Sequence, residues 1–125
     1  MTTPTDLAAR LAAAIEAGDL DAVRELYAPD IVVWANFDDT RRDLDAALRV
    51  LAWLVSSTTR RSYEIVRRIE FDGGVLQQHV LHGTTQAGND FAMPACLVLS
   101  VADGRITAID EYLDPAPITK AMGAT

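Results

Sequence analysis

Apolar residues in the first part of the chain recur at the spacing of an α-helix. Gly18 ends one apolar stripe, which consists of Leu7, Leu11 and Ile15. Pro29 ends a shorter stripe, which consists of Leu20, Val23 and Tyr27. Residues three and four apart share one side of a helix, so both stretches are predicted to be helices with one buried side. A strand over residues 31–36 is predicted to follow.

The stretch DDTRRDLDAALRVLAWLVSST carries the third predicted helix, with acids and a threonine as capping residues at its start. One side of this helix consists of Leu44, Leu48, Leu51 and Val55. Further apolar residues widen that side, namely Ala47, Val50, Trp53 and Leu54. Because most of the circumference is apolar, the helix is predicted to be covered on several sides.

From Arg61 onward the apolar period changes to two, which is the period of a β-strand. One predicted face of the first such strand consists of Tyr63, Ile65, Ile69 and Phe71, and the other of Ser62, Glu64, Arg68 and Glu70. Turns at Asp72-Gly73-Gly74 and Asp103-Gly104 separate further strands over residues 75–82, 91–101 and 105–113. Three helices followed by a four-strand meander indicate an α+β fold.

The pairing of the last two strands predicts a partner for the sheet. A two-residue turn at Asp103-Gly104 places Ala102 opposite Arg105, and this register leaves both faces of the sheet largely apolar. An antiparallel sheet with one face in water has polar residues on that face, so both faces are expected to be covered. Helices cover one face, and we expect a second copy of the sheet to cover the other in a homodimer.

Composition narrows the class of protein. The 125 residues are 50% hydrophobic and 23% charged, which is typical of a globular protein, and we expect one domain over residues 1–125. The net charge of -7 disfavours nucleic acid and acidic membrane surfaces as partners. We expect a cytoplasmic protein, since neither a signal pattern nor a membrane-spanning apolar run is recognisable, and the single cysteine, Cys96, cannot form an internal disulfide.

Two segments, AAAIEAGDLDAVRELYAPDIVV and VADGRITAIDEYLDP, resemble the nuclear transport factor 2-like superfamily, especially its SnoaL-like, ketosteroid isomerase-like and limonene epoxide hydrolase-like branches. The resemblance covers nearly the whole chain. It implies a cone-shaped α+β barrel, in which a curved, mostly antiparallel sheet wraps around three N-terminal helices and a pocket opens inside the cone. It says less about chemistry, because the superfamily includes isomerases, cyclases, epoxide hydrolases and non-catalytic subunits.

The epoxide hydrolase branch provides a comparison of single residues. Its tyrosine and asparagine on the first strand match Trp34 and Asn36 of WAN, and its Arg-x-Asp pair matches His79 and Leu81 of HVL. The aspartate that this branch has on the last strand matches Glu111. The carboxylate–arginine–carboxylate relay of that branch is therefore missing, and the isomerase branch's full set of a tyrosine and two acids is not found at its expected places either.

Glu111 and its neighbour Asp110 are the first candidates for catalysis, since adjacent residues of a strand point to opposite faces. The predicted register places Asp110 beside more apolar neighbours, whereas the resemblance implies that Glu111 faces the pocket, and we expect Glu111. A carboxyl group in an apolar pocket has a raised pKa and can act as a general acid or base. His79 beside it would complete a proton-transfer pair. The alternatives are a carboxylate paired with an arginine and a hydrogen-bonded core histidine.

The remaining candidates are expected to bind substrate. Four aromatic residues would line the pocket, namely Tyr27, Trp34, Trp53 and Tyr63. Asn36 would orient a reacting oxygen. Arg67 would pair with a strand acid, bind an anionic group of the substrate, or hold its charged end in water at the rim. No metal site is predicted, because His79 and His82 lie three residues apart on a strand and face opposite sides. No cofactor is predicted, since the sequence has no phosphate-binding motif.

These observations predict a cofactor-independent enzyme of the SnoaL-like type that acts on a small hydrophobic molecule by general acid–base catalysis. Isomerase, cyclase and epoxide hydrolase chemistry all fit this prediction. The alternative is a module of the same fold that binds a small molecule or assembles with a protein and has no turnover.

Overall fold

Two capped helices begin the chain in the computed structural model, which describes residues 1–123. Helix α1 spans Pro4–Ala17, and at its start the Thr3 hydroxyl accepts the N–H of Asp6 while the Asp6 carboxylate accepts the N–H of Thr3. Gly18 ends the helix in the left-handed conformation, with φ 72°. Helix α2 spans Leu20–Leu26 after the N-cap Asp19. Both predicted helices are confirmed, and their apolar stripes face the interior.

The next elements differ in part from the prediction. Strand β1 spans Tyr27–Ala35, so Tyr27 begins a strand instead of ending helix α2. A short strand β2, Thr40–Arg42, occupies residues that were predicted to cap the third helix. Helix α3 spans Leu44–Ser57, and its N-cap is Asp43.

Four long strands and a short helix complete the chain. They are β3 (Thr58–Phe71), β4 (Gly74–Thr85), β5 (Asp90–Ala102), β6 (Arg105–Leu113) and α4 (Ala116–Ala121). The six strands form one sheet in the order β2-β1-β6-β5-β4-β3, in which only the β1–β6 pair is parallel. The predicted α+β class, the meander and the curved, mostly antiparallel sheet of a cone-shaped fold are confirmed, and the sheet is not closed.

The helices pack against one face of the sheet, which we call the inner face, and the hydrophobic core lies between them. The opposite, outer face has no helix over it among residues 1–123. None of the helices in this range is long and apolar enough to cross a membrane. Ala124 and Thr125, the end of the predicted single domain, lie outside the described residues.

Two β-bulges determine which side chains reach the inner face. In the β5–β6 pair, Val101 pairs with Ile106 but Ser100 pairs with Ala108, so Thr107 is an extra residue. The predicted pairing is therefore right at the turn and wrong beyond it. In the β3–β4 pair Thr59 is an extra residue at the start of β3, and Val66 is the one that affects the site. Each bulge exchanges inner and outer positions along the rest of its strand, because a shift of one residue reverses every side chain.

Candidate active site

A cavity of about 190 Å³ lies between the inner face of the sheet and helices α1, α3 and α4. Its walls are mostly apolar and include Leu11, Ile15, Leu54, Leu97, Leu99 and Ile118. Few polar groups reach it, so each is surrounded by groups that do not solvate charge. A pocket of this kind is the usual setting for a small-molecule site.

Glu111 lines this cavity from strand β6. Burial raises the pKa of its carboxyl group to about 7, while the nearby Arg42 lowers it in part and Asp38 raises it. Arg42 is itself paired with Asp38 at 2.9 Å, so it does not neutralise Glu111 as a dedicated partner. Asp110 lies exposed on the outer face. The structure therefore places Glu111 in the pocket, because the bulge at Thr107 pairs Leu97 with Glu111 and Val98 with Asp110.

His79 lines the same cavity from strand β4 and belongs to a hydrogen-bonded chain on the inner face. Its Nδ1 lies 2.9 Å from Nε2 of Gln77, whose Oε1 accepts a hydrogen bond of 2.8 Å from Nε of Arg68. Burial and, less strongly, the charge of Arg68 lower the pKa of His79 to about 4. The expectation that His79 titrates near neutrality is therefore wrong, because its surroundings keep the imidazole neutral.

His79 and Glu111 do not contact each other directly. Gln77 pairs with Leu97 across β4 and β5, and Leu97 pairs with Glu111 across β5 and β6. Two strand spacings separate the backbones of β4 and β6, which is roughly 10 Å. The two groups thus line the same cavity from strands that are not neighbours, instead of forming the expected adjacent pair.

Three of the four predicted aromatic residues line the cavity. Tyr27 and Tyr63 are in its wall, and burial together with the charge of Glu111 raises the pKa of both phenols, so they stay protonated. The ring of Tyr63 also meets the His79 ring edge-on, with centroids 4.9 Å apart. Trp53 is 48% exposed and, with Phe37, forms the mouth of the cavity.

Trp34 does not reach the cavity, contrary to the prediction. Strand β1 alternates, and Ala35, which pairs with Glu111, is its inward residue. Trp34 pairs with Asp110 on the outer face, and its Nε1 donates a hydrogen bond of 2.6 Å to Asp39. The residue match taken from the epoxide hydrolase branch was therefore displaced by one position.

Asn36 and Arg67 are also outside the cavity. The Asn36 side chain is exposed and accepts the backbone N–H of Leu113 at 2.9 Å, so it joins two chain segments instead of orienting a substrate. Arg67 is exposed and pairs with Gln78 on the outer face. The cause is the bulge at Val66, which turns Arg67 outward and its neighbour Arg68 inward.

Sequence reasoning missed several residues of the site. Gln77 and Arg68 form the chain that ends at His79, and Arg42 and Phe37 lie at the mouth. One signal was available for the first pair. Counting back from the turn at Asp72-Gly73 places Arg68 opposite Gln77, and this pairing is present. No pattern in the sequence pointed to Arg42 or Phe37.

The chain is similar to known proteins in both sequence and fold. The model of a family described as SnoaL-like domain matches residues 8–109. The crystal structure of IdmH from Streptomyces antibioticus, whose assignment as a polyketide cyclase is provisional, superposes with a TM-score of 0.83 at 25% identity and covers 98% of this chain and 99% of its own. A search among curated protein sequences found no match.

Two more distant structures share the fold. AclR from Streptomyces galilaeus, provisionally assigned as a hydroxylase, has a TM-score of 0.85 at 16% identity and covers 96% of this chain and 80% of its own. A protein from Catenulispora acidiphila with a ketosteroid isomerase-like fold, crystallised with trimethylamine, has a TM-score of 0.82 at 17% identity, with coverage of 98% and 96%. At this identity the likeness concerns the fold alone.

Proposed function

The chain belongs to the family of SnoaL-like domains, and on this premise we propose that it is a cofactor-independent enzyme that transfers a proton at a carbon next to a carbonyl group. The substrate is a small hydrophobic compound that fits the cavity. One observation carries the proposal. Glu111, a carboxyl group with a pKa of about 7, and the neutral imidazole of His79 line one mostly apolar cavity.

The two groups have different roles in this mechanism. The Glu111 carboxylate removes a proton from the carbon next to the carbonyl, and the electron pair of the broken C–H bond moves into the carbonyl group to form an enolate. The Nε2–H of His79 donates a hydrogen bond to the enolate oxygen, where negative charge develops. Glu111, now protonated, returns the proton to a carbon, or to the oxygen of a second carbonyl group that the enolate carbon has attacked. The first outcome is isomerisation or exchange, and the second is ring closure.

The pKa of Glu111 suits this role. A general base must be deprotonated often enough to react, and its conjugate acid must be acidic enough to return the proton, so the best pKa lies near the working pH. Burial places the Glu111 carboxyl group there, with a pKa of about 7. His79 cannot share the proton-transfer role, since its pKa of about 4 leaves it uncharged at pH 7. It acts only as a hydrogen-bond donor.

The volume of the cavity limits the substrate. At about 190 Å³ it is somewhat larger than a buried apolar cavity of roughly 150 Å³ that holds one benzene molecule. One ring with a short substituent therefore fits inside, and a larger polycyclic compound would extend through the mouth past Trp53. The name of IdmH, a provisional polyketide cyclase, is consistent with such a compound. Epoxide hydrolysis fits less well, because Trp34 and Asn36 lie outside the cavity.

Hydrogen–deuterium exchange tests the proposal without knowledge of the natural substrate. Acetophenone has one ring and a methyl group next to its carbonyl, and we expect the protein to accelerate deuterium incorporation into this methyl group in D2O, measured by proton NMR. Ethylbenzene, which lacks the oxygen, is the control for binding. If acetophenone and related aryl ketones bind but do not exchange faster than in buffer, the chain is a binding module and the enzymatic proposal fails.

We also propose that the outer face of the sheet joins two copies of the chain. The face is rich in apolar side chains, and Val32 and Tyr112 are 43% and 48% exposed in the single chain. Leu76, Val98 and Pro94 extend the same surface across β4 and β5. A contiguous exposed apolar patch is characteristic of an interaction site, and in a homodimer the same patch on the second copy provides the partner surface.

A charge at the centre of this face is expected to separate the copies. Val98 is flanked by Leu76 and Asp110 in the middle of the sheet, so Val98→Arg places a cation where an interface core is depleted of charge. Light scattering after size exclusion should give twice 13.6 kDa for the natural chain and 13.6 kDa for the variant. Ala9→Arg, on the exposed side of helix α1, is the matched control. A dimeric Val98→Arg variant would place the interface elsewhere.

A further inference from the structure

We infer that Arg68 is a positioning residue, which acts through Gln77 to fix His79 as the tautomer that carries its proton on Nε2. The bulge at Val66 turns Arg68 to the inner face, where it reaches Gln77. Bulges next to active sites commonly redirect a side chain in this way. Arg68 is not among the residues that line the cavity, so it acts on the chemistry through Gln77 and His79 and not by contact with the substrate.

The polarity of the chain follows from the donors and acceptors available. The guanidinium of Arg68 can only donate, so the atom of Gln77 that meets its Nε at 2.8 Å is the amide oxygen. The amide nitrogen of Gln77 therefore points to Nδ1 of His79 at 2.9 Å, and it can only donate. Nδ1 must accept, so in the neutral ring the proton lies on Nε2. A residue that accepted as well as donated at position 68 would leave both orientations open.

The charge of Arg68 acts in the same direction as the hydrogen bonds. Neither ion pair found among residues 1–123 includes Arg68, so its positive charge has no carboxylate partner of its own. That charge opposes a second proton on His79. The other titratable side chains in the wall of the cavity are Tyr27, Tyr63, Arg42 and Glu111. Of these the phenols are neutral, and Glu111 lies two strands away.

The consequence for the ligand rests on the proposed function. A ring held with Nε2–H toward the cavity offers a donor and no acceptor, so it selects a group such as a carbonyl oxygen over a donor-only group. The opposite tautomer would present a lone pair to the developing enolate and repel it. Arg68 therefore determines, from outside the cavity, whether the site offers a hydrogen-bond donor or an acceptor.

Nitrogen NMR of the ligand-free protein tests the inference directly. The chain has only two histidines, so a long-range proton–nitrogen spectrum contains two ring systems, and His82→Gln assigns them. In the natural chain we expect the His79 nitrogens to be far apart in shift, with Nδ1 unprotonated and Nε2 protonated at pH 7. Arg68→Met should bring the two shifts toward each other and move the His79 titration to higher pH. Arg68→Lys, which restores a donor, should return both part of the way.

Arg67→Met is the matched control, because Arg67 is the adjacent arginine on the outer face. It should leave the His79 spectrum unchanged. Gln77→Met breaks the chain while keeping Arg68, so it gives the same readout if Arg68→Met does not fold. Unchanged nitrogen shifts in both chain variants, or an equal change in Arg67→Met, would overturn the inference. Because the spectrum is recorded without ligand, its outcome does not depend on whether the protein catalyses exchange.

Discussion

Replacing Glu111 with glutamine is expected to slow the exchange of the acetophenone methyl protons by about 10²- to 10⁴-fold, the usual contribution of a positioned general acid or base. The amide fills the same space and cannot accept the proton. Binding of acetophenone should change much less than the rate, because glutamine has nearly the same size as glutamate and carries no charge. The result would locate the proton transfer at Glu111 and not in the cavity as a whole.

The pH dependence of the same reaction is a second readout. The rate per bound ketone should rise with pH and level off above the pKa of Glu111, about 7, because only the carboxylate accepts the proton. His79 adds no second limb near neutrality, since its pKa of about 4 lies well below. A rate that falls through pH 7 as pH rises would assign Glu111 the role of acid in the slow step.

Glu25→Gln is the control for this experiment. It makes the same change of glutamate to glutamine, but on the exposed side of helix α2, away from the cavity and the outer face. Activity within a factor of two of the natural chain is expected, in accordance with the weak effect of most surface substitutions. Equal loss in both variants would contradict the role of Glu111, and so would full activity of Glu111→Gln.

The fold could be predicted from the sequence because its signals are long and repeated. The stripe of Leu7, Leu11 and Ile15 and the alternation around Tyr63 each extend over several turns or residues, so one unusual position does not change the assignment. The three-residue strand β2 and the six-residue helix α4 are too short to produce such a signal. The same holds for the start of β1 at Tyr27, where helix α2 passes into the strand without a break.

Alternation alone predicted site residues only where no bulge intervened, and Glu111 was predicted from the family resemblance instead. Alternation counted from the Asp103-Gly104 turn assigned Asp110 to the apolar side, and the extra residue Thr107 transfers that position to Glu111. Alternation along β3 placed Arg67 among inward residues, and the extra residue Val66 transfers that position to Arg68. A bulge inserts one extra residue into a strand, and no particular residue type marks its place, so the pattern of apolar residues does not reveal it.

The match of Trp34 and Asn36 to a family pattern failed for a related reason. A displacement of one residue along a strand moves every side chain to the opposite face of the sheet. The residues of this segment that line the cavity, Ala35 and Phe37, are apolar, so they do not resemble catalytic or polar binding residues. A site residue can therefore be located from a family resemblance only if the match is in register along the strand, whereas the strand itself can be located without it. His79 and Tyr63 were placed in the cavity because the alternation around each is unbroken.

As pH rises, Glu111 and His79 should change the free energy of unfolding in opposite directions. The folded pKa of Glu111 is raised from 4.5 to about 7, so the stability it contributes is present below pH 4.5 and is lost as pH rises to 7. The folded pKa of His79 is lowered from 6.5 to about 4, so stability is lost as pH falls from 6.5 to 4. In this range the histidine is protonated in the unfolded chain but stays neutral in the folded chain. Each effect is on the order of 3 kcal/mol, at about 1.4 kcal/mol per pH unit.

In the natural chain the two effects oppose each other between about pH 4.5 and 6.5, so single replacements are needed to see either. The stability of Glu111→Gln relative to the natural chain should increase by about 3 kcal/mol from pH 4.5 to 8, and that of His79→Gln should increase by a similar amount from pH 7 to 4. Urea unfolding at each pH measures both differences. Glu25→Gln, on the exposed side of helix α2, should differ from the natural chain by no more than about 0.5 kcal/mol throughout. Parallel curves for Glu111→Gln and the natural chain would mean that the carboxyl group is solvated, and the pocket would then lack the general base on which the chemistry depends.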